Sequence, residues 1–268
     1  MAEDVLLVEV KNQIAFVSLN RPQKHNALNL ALFKALDHTI KRLDKQKNIR
    51  AIIVFGNGPD FCTGLDINSV MKSKTAALTL LYKWWPGKAN LAQRVSYGWR
   101  QLNVPVIMAI HGRCWGGGLQ IALGADFRLV STDSTFSVME SKWGLIPDMA
   151  GNLALRELVR KDIALKLAMT AEIIDAKTAQ NLGLVSEVCA DPLAGATLLA
   201  EQISARSPDS VAAVKALYHR LWQAKDWRWL ARESWYQIRI LAGKNQKIAV
   251  KNQLKPHQQA DYQPRSRW

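Results

Sequence analysis

Gly116-Gly117-Gly118 lies between an apolar run at residues 104–110 and another at residues 119–123. Three consecutive glycines lose too much backbone freedom to sit comfortably inside a helix or strand. At the start of a helix they do something else: with no Cβ in the way, another group can approach the bare backbone. The first amides of a helix have no internal acceptors, and the helix dipole adds partial positive charge there. The segment therefore reads as a strand, a tight turn and a helix whose first N–H groups can receive an oxyanion or a phosphate. A turn with a purely structural role is the plain alternative. No Gly-Lys-Ser/Thr ends the turn, so a P-loop is excluded, and the GxGxxG spacing of a dinucleotide site is missing. The GxSxG elbow of a serine hydrolase is also absent.

The same β-then-α alternation extends along the chain. Residues 5–10 and 14–19 read as a hairpin around Lys11-Asn12-Gln13. Arg21-Pro22 ends the second run. Asn29 is placed to cap a helix over residues 30–45, where Leu32, Phe33, Leu36, Ile40 and Leu43 recur at helical spacing. Residues 51–55 and 104–110 form continuous apolar runs of the kind expected in strands covered on both faces. Residues 75–102 read as helix broken at Pro86-Gly87. Beyond Asn152 the pattern becomes helical, over 154–159, 162–169, 176–181, 193–205, 210–225 and 227–242, with a brief strand at 185–188. This predicts an α/β core with parallel pairing through crossovers, followed by an α-helical C-terminal region. The division falls near residue 190: residues 1–190 hold the core and the site, and 191–268 the helices with a basic tail. The polar stretch after Pro256 is expected to be loosely ordered.

The net charge is +14. Phosphates of a nucleic acid attract such a surface, and a basic rim also concentrates small anionic ligands. Solubility alone accounts for it equally well. There is no zinc finger, no RNP-like segment and no basic region running into heptads, so a nucleic-acid role has no motif behind it. The densest basic stretch runs over 244–255 and resumes at Arg265 and Arg267. No apolar run reaches the roughly 18 residues of a membrane helix. The acidic start, Met1-Ala2-Glu3-Asp4, lacks the basic-then-apolar design of a signal peptide, and a cytoplasmic location is expected. Cys62, Cys114 and Cys189 form no CxxC pair and have no zinc spacing, so they are expected to be reduced and structural, with no metal.

Four segments in order carry a resemblance: LNRPQKHNAL at 19–28, DFCTGLD at 60–66, NVPVIMAIHGRCWGGGLQIALGAD at 103–126 and FSVMESKWGLIP at 136–147. Together they resemble the crotonase (enoyl-CoA hydratase/isomerase) family over roughly residues 5 to 190. The resemblance implies a spiral of ββα turns, a helical C-terminal trimerisation region, and homotrimers that often pair into hexamers. It implies an acyl-CoA thioester as substrate, with coenzyme A part of that substrate and no separate cofactor. It places an oxyanion hole at the backbone N–H groups of Leu65 and Gly117. Removing one donor from such a hole typically costs about 2.7–4 kcal/mol of transition-state stabilisation. The CoA contacts it implies come from Arg21, Lys24, His25 and Ala27, and from the backbone near Thr63, Gly64 and Asp66. Arg21 and Lys24 are the candidate phosphate contacts; a solvated basic turn is the alternative. Gly116, Gln120 and Trp143 complete the expected substrate contacts.

An oxyanion hole makes an enolate possible, but a proton must still move. The resemblance puts the general base at Glu140. Hydratases of the family hold water between two glutamates, and here one of those positions is Gln120, an amide that takes no proton. Asp148 stands where dienoyl-CoA isomerases of the family carry an aspartate at the same spacing from the glutamate. The favoured reading is an enoyl- or dienoyl-CoA isomerase with Glu140 and Asp148 as the proton-transferring pair. The alternatives are a hydratase with Glu140 as its single acid/base, a CoA-thioester hydrolase, and a non-catalytic RNA-binding protein of this fold. Asp148 as a mere helix cap is the competing role for that residue. Trp84, Trp85, Trp99, Trp115 and Trp143 lie near the site segments. Pro86-Gly87 offers a hinge that would make Trp84-Trp85 a lid, against the simpler role of core packing.

Overall fold

The computed structural model describes residues 4–70, 73–255, 257–266 and 268. Met1, Ala2, Glu3, Met71, Lys72, Pro256 and Arg267 lie outside the described residues, and with them the sequence reading of the acidic start and of Arg267. Strands β1 (Leu6–Lys11) and β2 (Ile14–Leu19) pair antiparallel. Their two-residue turn, Asn12-Gln13, has both residues left-handed, which matches the twist of the flanking strands. Strands β3 (Ala51–Gly56), β4 (Val106–Ile110), β6 (Phe127–Val130) and β9 (Glu187–Val188) extend the sheet by parallel pairing, in the order β1-β2-β3-β4-β6-β9.

Both faces of this sheet are covered, which explains the unbroken apolar runs of β3 and β4. Ala15, Val17, Ile52, Val54, Val106 and Met108 face one core, with helices α1 (Leu30–Lys45) and α4 (Leu91–Gln101). Asn29 caps α1 as its position predicts, accepting from the Leu32 amide at 2.9 Å. Ile14, Ile53, Ile107 and Leu129 face the other way, toward Ala196 and Ala200 of α9 (Pro192–Ser204). Between α1 and α4 lie α2 (Ile67–Val70) and α3 (Lys74–Leu81); α3 and α4 are the two pieces expected around Pro86-Gly87.

A second, three-stranded sheet consists of β5 (Arg113–Trp115), β7 (Thr135–Ser137) and β8 (Ile174–Asp175). These strands are two or three residues long, too short to leave a period in the sequence. Helix α5 (Gly117–Ala122) follows β5 directly. Helices α6 (Gly151–Leu158), α7 (Lys161–Thr170) and α8 (Ala176–Asn181) sit beside the second sheet. The remaining helices are α10 (Pro208–Leu221), α11 (Asp226–Ala242) and α12 (Lys244–Leu254). The basic stretch over 244–254, read in sequence as a charged tail, is thus helix. The segment after it is not loose, contrary to expectation. Asp209 accepts hydrogen bonds from the Ser266 amide (2.6 Å) and the Trp268 indole (3.2 Å), and buried Arg265 donates to the Asp44 carbonyl (3.1 Å).

Candidate active site

The turn between β5 and α5 is built by close packing of backbone on backbone. The segment 60–66 runs alongside β5: the Cys62 amide donates to Arg113 O and the Trp115 amide to Cys62 O. A Cβ at position 118 would stand 2.3 Å from Cys62 O, so only glycine fits there. On its other side the segment is bridged to residue 28, with the Leu28 amide on Gly64 O (2.8 Å) and the Asp66 amide on Leu28 O (3.0 Å). Gly64, at φ +94°, packs against the turn so closely that a Cβ on it would be 3.4 Å from the Gly117 nitrogen. Leu65 and Gly117 are thereby neighbours. Among the described residues neither of their amides has an acceptor. Both residues line one cavity of about 370 Å³.

The loop over 20–28 is held by polar contacts. Asn26 is buried in a left-handed conformation; it accepts from the Arg21 amide and donates to Asn57 O and Asp60 O. Arg21, expected to be a phosphate contact, is turned inward: its guanidinium donates to the carbonyl of Ala27 and pairs with Asp66 at 3.1 Å. Both are therefore loop clamps. Lys24 is the exposed cation of this loop. His25 contacts Asp60 at 2.7 Å and offers its carbonyl to the Thr63 amide. Asp60, which the sequence reading passed over, is the hub here. Burial alone would raise its carboxyl; hydrogen bonds from the Arg113 side chain and amide and the His25 contact outweigh that and hold it at about 2. Asp60 opens the DFCTGLD segment, but nothing local in it shows this role, because its partners His25 and Arg113 are 35 and 53 positions away.

The side of the cavity facing the glycine turn carries the carboxyls. Glu140 opens a single 3-10 turn, Glu140–Trp143, closed by Gly144 at φ +68°. It packs against Gly116, where a Cβ would be 3.6 Å from Glu140 Oε1. Gln120 is buried and uses both ends of its amide. Its Nε2 donates to Glu140 Oε1 at 2.6 Å, and its Oε1 accepts from the Met149 amide at 2.8 Å and the Gly151 amide at 3.3 Å. Glu140 Oε2 is buried without a partner. Burial raises the Glu140 carboxyl above 4.5; the bond from Gln120 opposes this and nearby Asp148 adds to it. Asp148 lines the same cavity, and burial raises its carboxyl above 3.8. It is not a helix cap: the residue before α6 is Ala150, with no side-chain cap.

The rest of the cavity is apolar, lined by Phe33, Ile67, Val70, Leu80, Leu145 and Met149 among others. Of the five tryptophans singled out in sequence, Trp143 alone borders it. Trp99 is fully buried core, and Trp115 bonds Thr135 and lies under Arg113. Trp84 and Trp85 are exposed and do not cover the cavity. Cys62 and Cys114 are buried, and burial pushes the Cys62 thiol up to about 12, which suits packing and not nucleophilic attack. A larger cavity, about 1230 Å³, opens between the sheet and α10 and α12. Within it, Asp126 accepts from Lys215 at 2.8 Å and contacts His219 at 2.5 Å, and Arg50 donates to backbone carbonyls of Ser204 and Arg206. The unpaired amides and the unpartnered carboxylate oxygen belong to the smaller cavity.

Comparison with known proteins shows the family. A family model described as enoyl-CoA hydratase/isomerase matches residues 9–253. A peroxisomal Delta(3,5)-Delta(2,4)-dienoyl-CoA isomerase of Arabidopsis thaliana is 30% identical, with 81% of each chain covered. An (E)-benzylidenesuccinyl-CoA hydratase of Thauera aromatica is 35% identical over 78% of this chain and 79% of its own. A solved putative enoyl-CoA hydratase of Streptomyces coelicolor superposes with a TM-score of 0.88 at 25% identity, covering 99% of this chain and 96% of that one. The sheet order, the glycine turn and the match over nearly the whole chain lead to one assignment: this protein belongs to the enoyl-CoA hydratase/isomerase family and has the crotonase fold.

Proposed function

We propose that the protein is an enoyl- or dienoyl-CoA isomerase that moves a double bond by proton transfer between Glu140 and Asp148. The thioester oxygen takes the free N–H groups of Leu65 and Gly117. As a proton leaves the acyl chain, negative charge collects on that oxygen, where preorganised donors stabilise it. Glu140 Oε2 removes the proton and Asp148 returns one at another carbon, so the product has the substrate's composition with its double bond displaced. The raised carboxyl of Glu140 strengthens it as a base, and that of Asp148 lets it carry a proton nearer neutrality. CoA would lie along the 20–28 loop with Lys24 as its cation.

The observation that carries this reading is Gln120. Its amide already holds one oxygen of Glu140 and the backbone of Met149 and Gly151. A second acid that would grip a water beside Glu140 is therefore missing, while a second carboxyl, Asp148, faces the cavity elsewhere. Hydration remains the second reading, supported by the unpartnered Glu140 Oε2, which has a lone pair to offer a water. The test is turnover of an enoyl- and dienoyl-CoA panel in deuterated water, read by mass. Deuterium gain with a shifted double bond and no added water supports the isomerase. Efficient hydration that survives Asp148→Asn sinks the proton pair, and release of free CoA points to hydrolysis. Absence of CoA binding with steeply salt-dependent RNA binding leaves a binding protein.

The reading includes self-assembly through the C-terminal helices. Trp227, Leu230, Trp235, Ile238 and Leu241 form an exposed apolar stripe along α11, of the kind subunits bury on association. Sedimentation velocity of the full chain tests it: a trimer or hexamer is expected.

A further inference from the structure

The loop between α3 and α4 has no role in the site described above. Residues 81–88 are all exposed. Within and beside them, Leu78, Leu81, Tyr82, Trp84 and Trp85 are between 55% and 74% accessible. Some exposed rings elsewhere touch one another: Tyr218 and Trp222 pack with half-buried Trp229, whereas exposed Trp143 and Trp235 have no ring partner among the described residues. Trp84 and Trp85 pack on no ring, and among the described residues neither indole N–H has a hydrogen-bond partner. Rings left this way on a monomer's surface mark a contact with something else.

Charge says what that something is. No Asp or Glu occurs between Asp66 and Asp126. Three arginines in that stretch have acids supplied from outside it: Arg94 pairs with Asp37, Arg100 with Glu157, Arg113 with Asp60. Lys83 and Lys88, which flank the two tryptophans, are exposed and have no salt bridge among the described residues. The patch is thus two indoles and a phenol with free polar tips, two outward leucines and unpaired lysines, with no acid. Trp and Tyr settle at the headgroup level of a bilayer, where an apolar body and a polar tip are both satisfied. Lysines beside them are drawn to anionic headgroups. A single-stranded nucleic acid also accepts rings and lysines, but it has no use for the leucines and tracks a longer basic groove.

We propose that this loop docks the protein on an anionic lipid surface. Position supports it: Leu80 and Leu81, at the end of α3, also line the acyl cavity, so a docked loop brings that side of the cavity to the bilayer, where amphiphilic acyl chains collect. That consequence for turnover rests on the acyl-CoA reading; the docking does not, and its test uses no acyl-CoA.

The full chain is sedimented with phosphatidylcholine vesicles and with vesicles partly replaced by phosphatidylglycerol, at low and high salt. Binding is expected to the anionic vesicles only and to be released by salt. Trp84→Ser/Trp85→Ser and, separately, Lys83→Glu/Lys88→Glu should each weaken it by about tenfold or more. Lys244→Glu/Lys247→Glu, on α12, should leave it within about twofold, which separates the loop from the chain's overall charge. The wild-type chain provides a check that needs no variant: anionic vesicles should slow tryptic cleavage after Lys83 and Lys88. Four results would overturn the proposal: no binding to anionic vesicles, equal loss with the α12 pair, poly(U) binding abolished by the loop variants, or a drop in assembly size in Trp84→Ser/Trp85→Ser.

Discussion

The two walls of the 370 Å³ cavity are built from different materials. One wall is backbone: the amides of Leu65 and Gly117, fixed by a zipper of main-chain bonds among residues 28, 60–66 and 113–118. The other is side chain: Glu140, Asp148 and the Gln120 amide that links them through Met149 and Gly151. A backbone wall is insensitive to which side chains its residues carry, provided glycine stands where chains touch. A side-chain wall changes its chemistry with one substitution. On the proposed reading, the first wall supplies the thioester-oxygen site and the second decides what is done with the enolate.

The largest expected effect lies on the side-chain wall. Glu140→Gln should lower exchange of the acyl proton on the order of a thousandfold while acyl-CoA affinity, by calorimetry, stays within about twofold. Lost affinity would mean that the walls are not separable. On the backbone wall, Gly117→Ala places a Cβ 2.9 Å from Leu28 and 3.0 Å from the Met149 sulfur. The donor is then displaced, and kcat should fall on the order of a hundredfold, with a thermal melt to confirm folding. Gln120→Glu sharpens the contrast further. Its new carboxylate would take the place of a donor 2.6 Å from Glu140, and two carboxyls so close share a proton. Because the base must be ionised, kcat/KM of the wild type should climb with pH through a limb above 4.5. In the variant that limb should move higher still, leaving exchange at neutral pH about tenfold lower.

The smallest effect is on the frame behind both walls. Asp60 is depressed to about 2 in the folded chain against an ordinary 3.8. A depressed carboxylate stabilises the fold above its unfolded value, and that contribution fades as pH falls toward the folded one. Asp60→Asn should therefore cost about 2 kcal/mol at neutral pH. In urea unfolding the difference from wild type should close between about pH 4 and pH 2.

The contrast also explains what could be read from the sequence. Helix α1 was legible because Asn29 and five apolar residues at one spacing all point to it, and β3 and β4 because both faces are covered. The glycine turn was legible because close approach tolerates no other residue. Glu140 and Asp148 came from resemblance alone, since nothing local shows that they face one cavity. The inward turn of Arg21 leaves no local signal, because its partners are the Ala27 carbonyl within the loop and Asp66, 45 positions on. Helix α12 was hidden by its own polarity: in KNQKIAVKNQL most residues are polar, and Asn245 is its buried contact. The Pro86-Gly87 hinge suggests Trp84 and Trp85 as a lid, but α3 already ends at Leu81 and both rings stand in solvent.

The most direct test of two separable walls is the 13C shift of a bound acyl-CoA labelled at the thioester carbonyl, recorded for wild type and Glu140→Gln. Polarisation by the Leu65 and Gly117 amides predicts the same downfield shift in both proteins, with proton exchange in the wild type alone. A carbonyl that stays at its free position in the wild type, or that loses its shift when Glu140 is changed, would contradict the account.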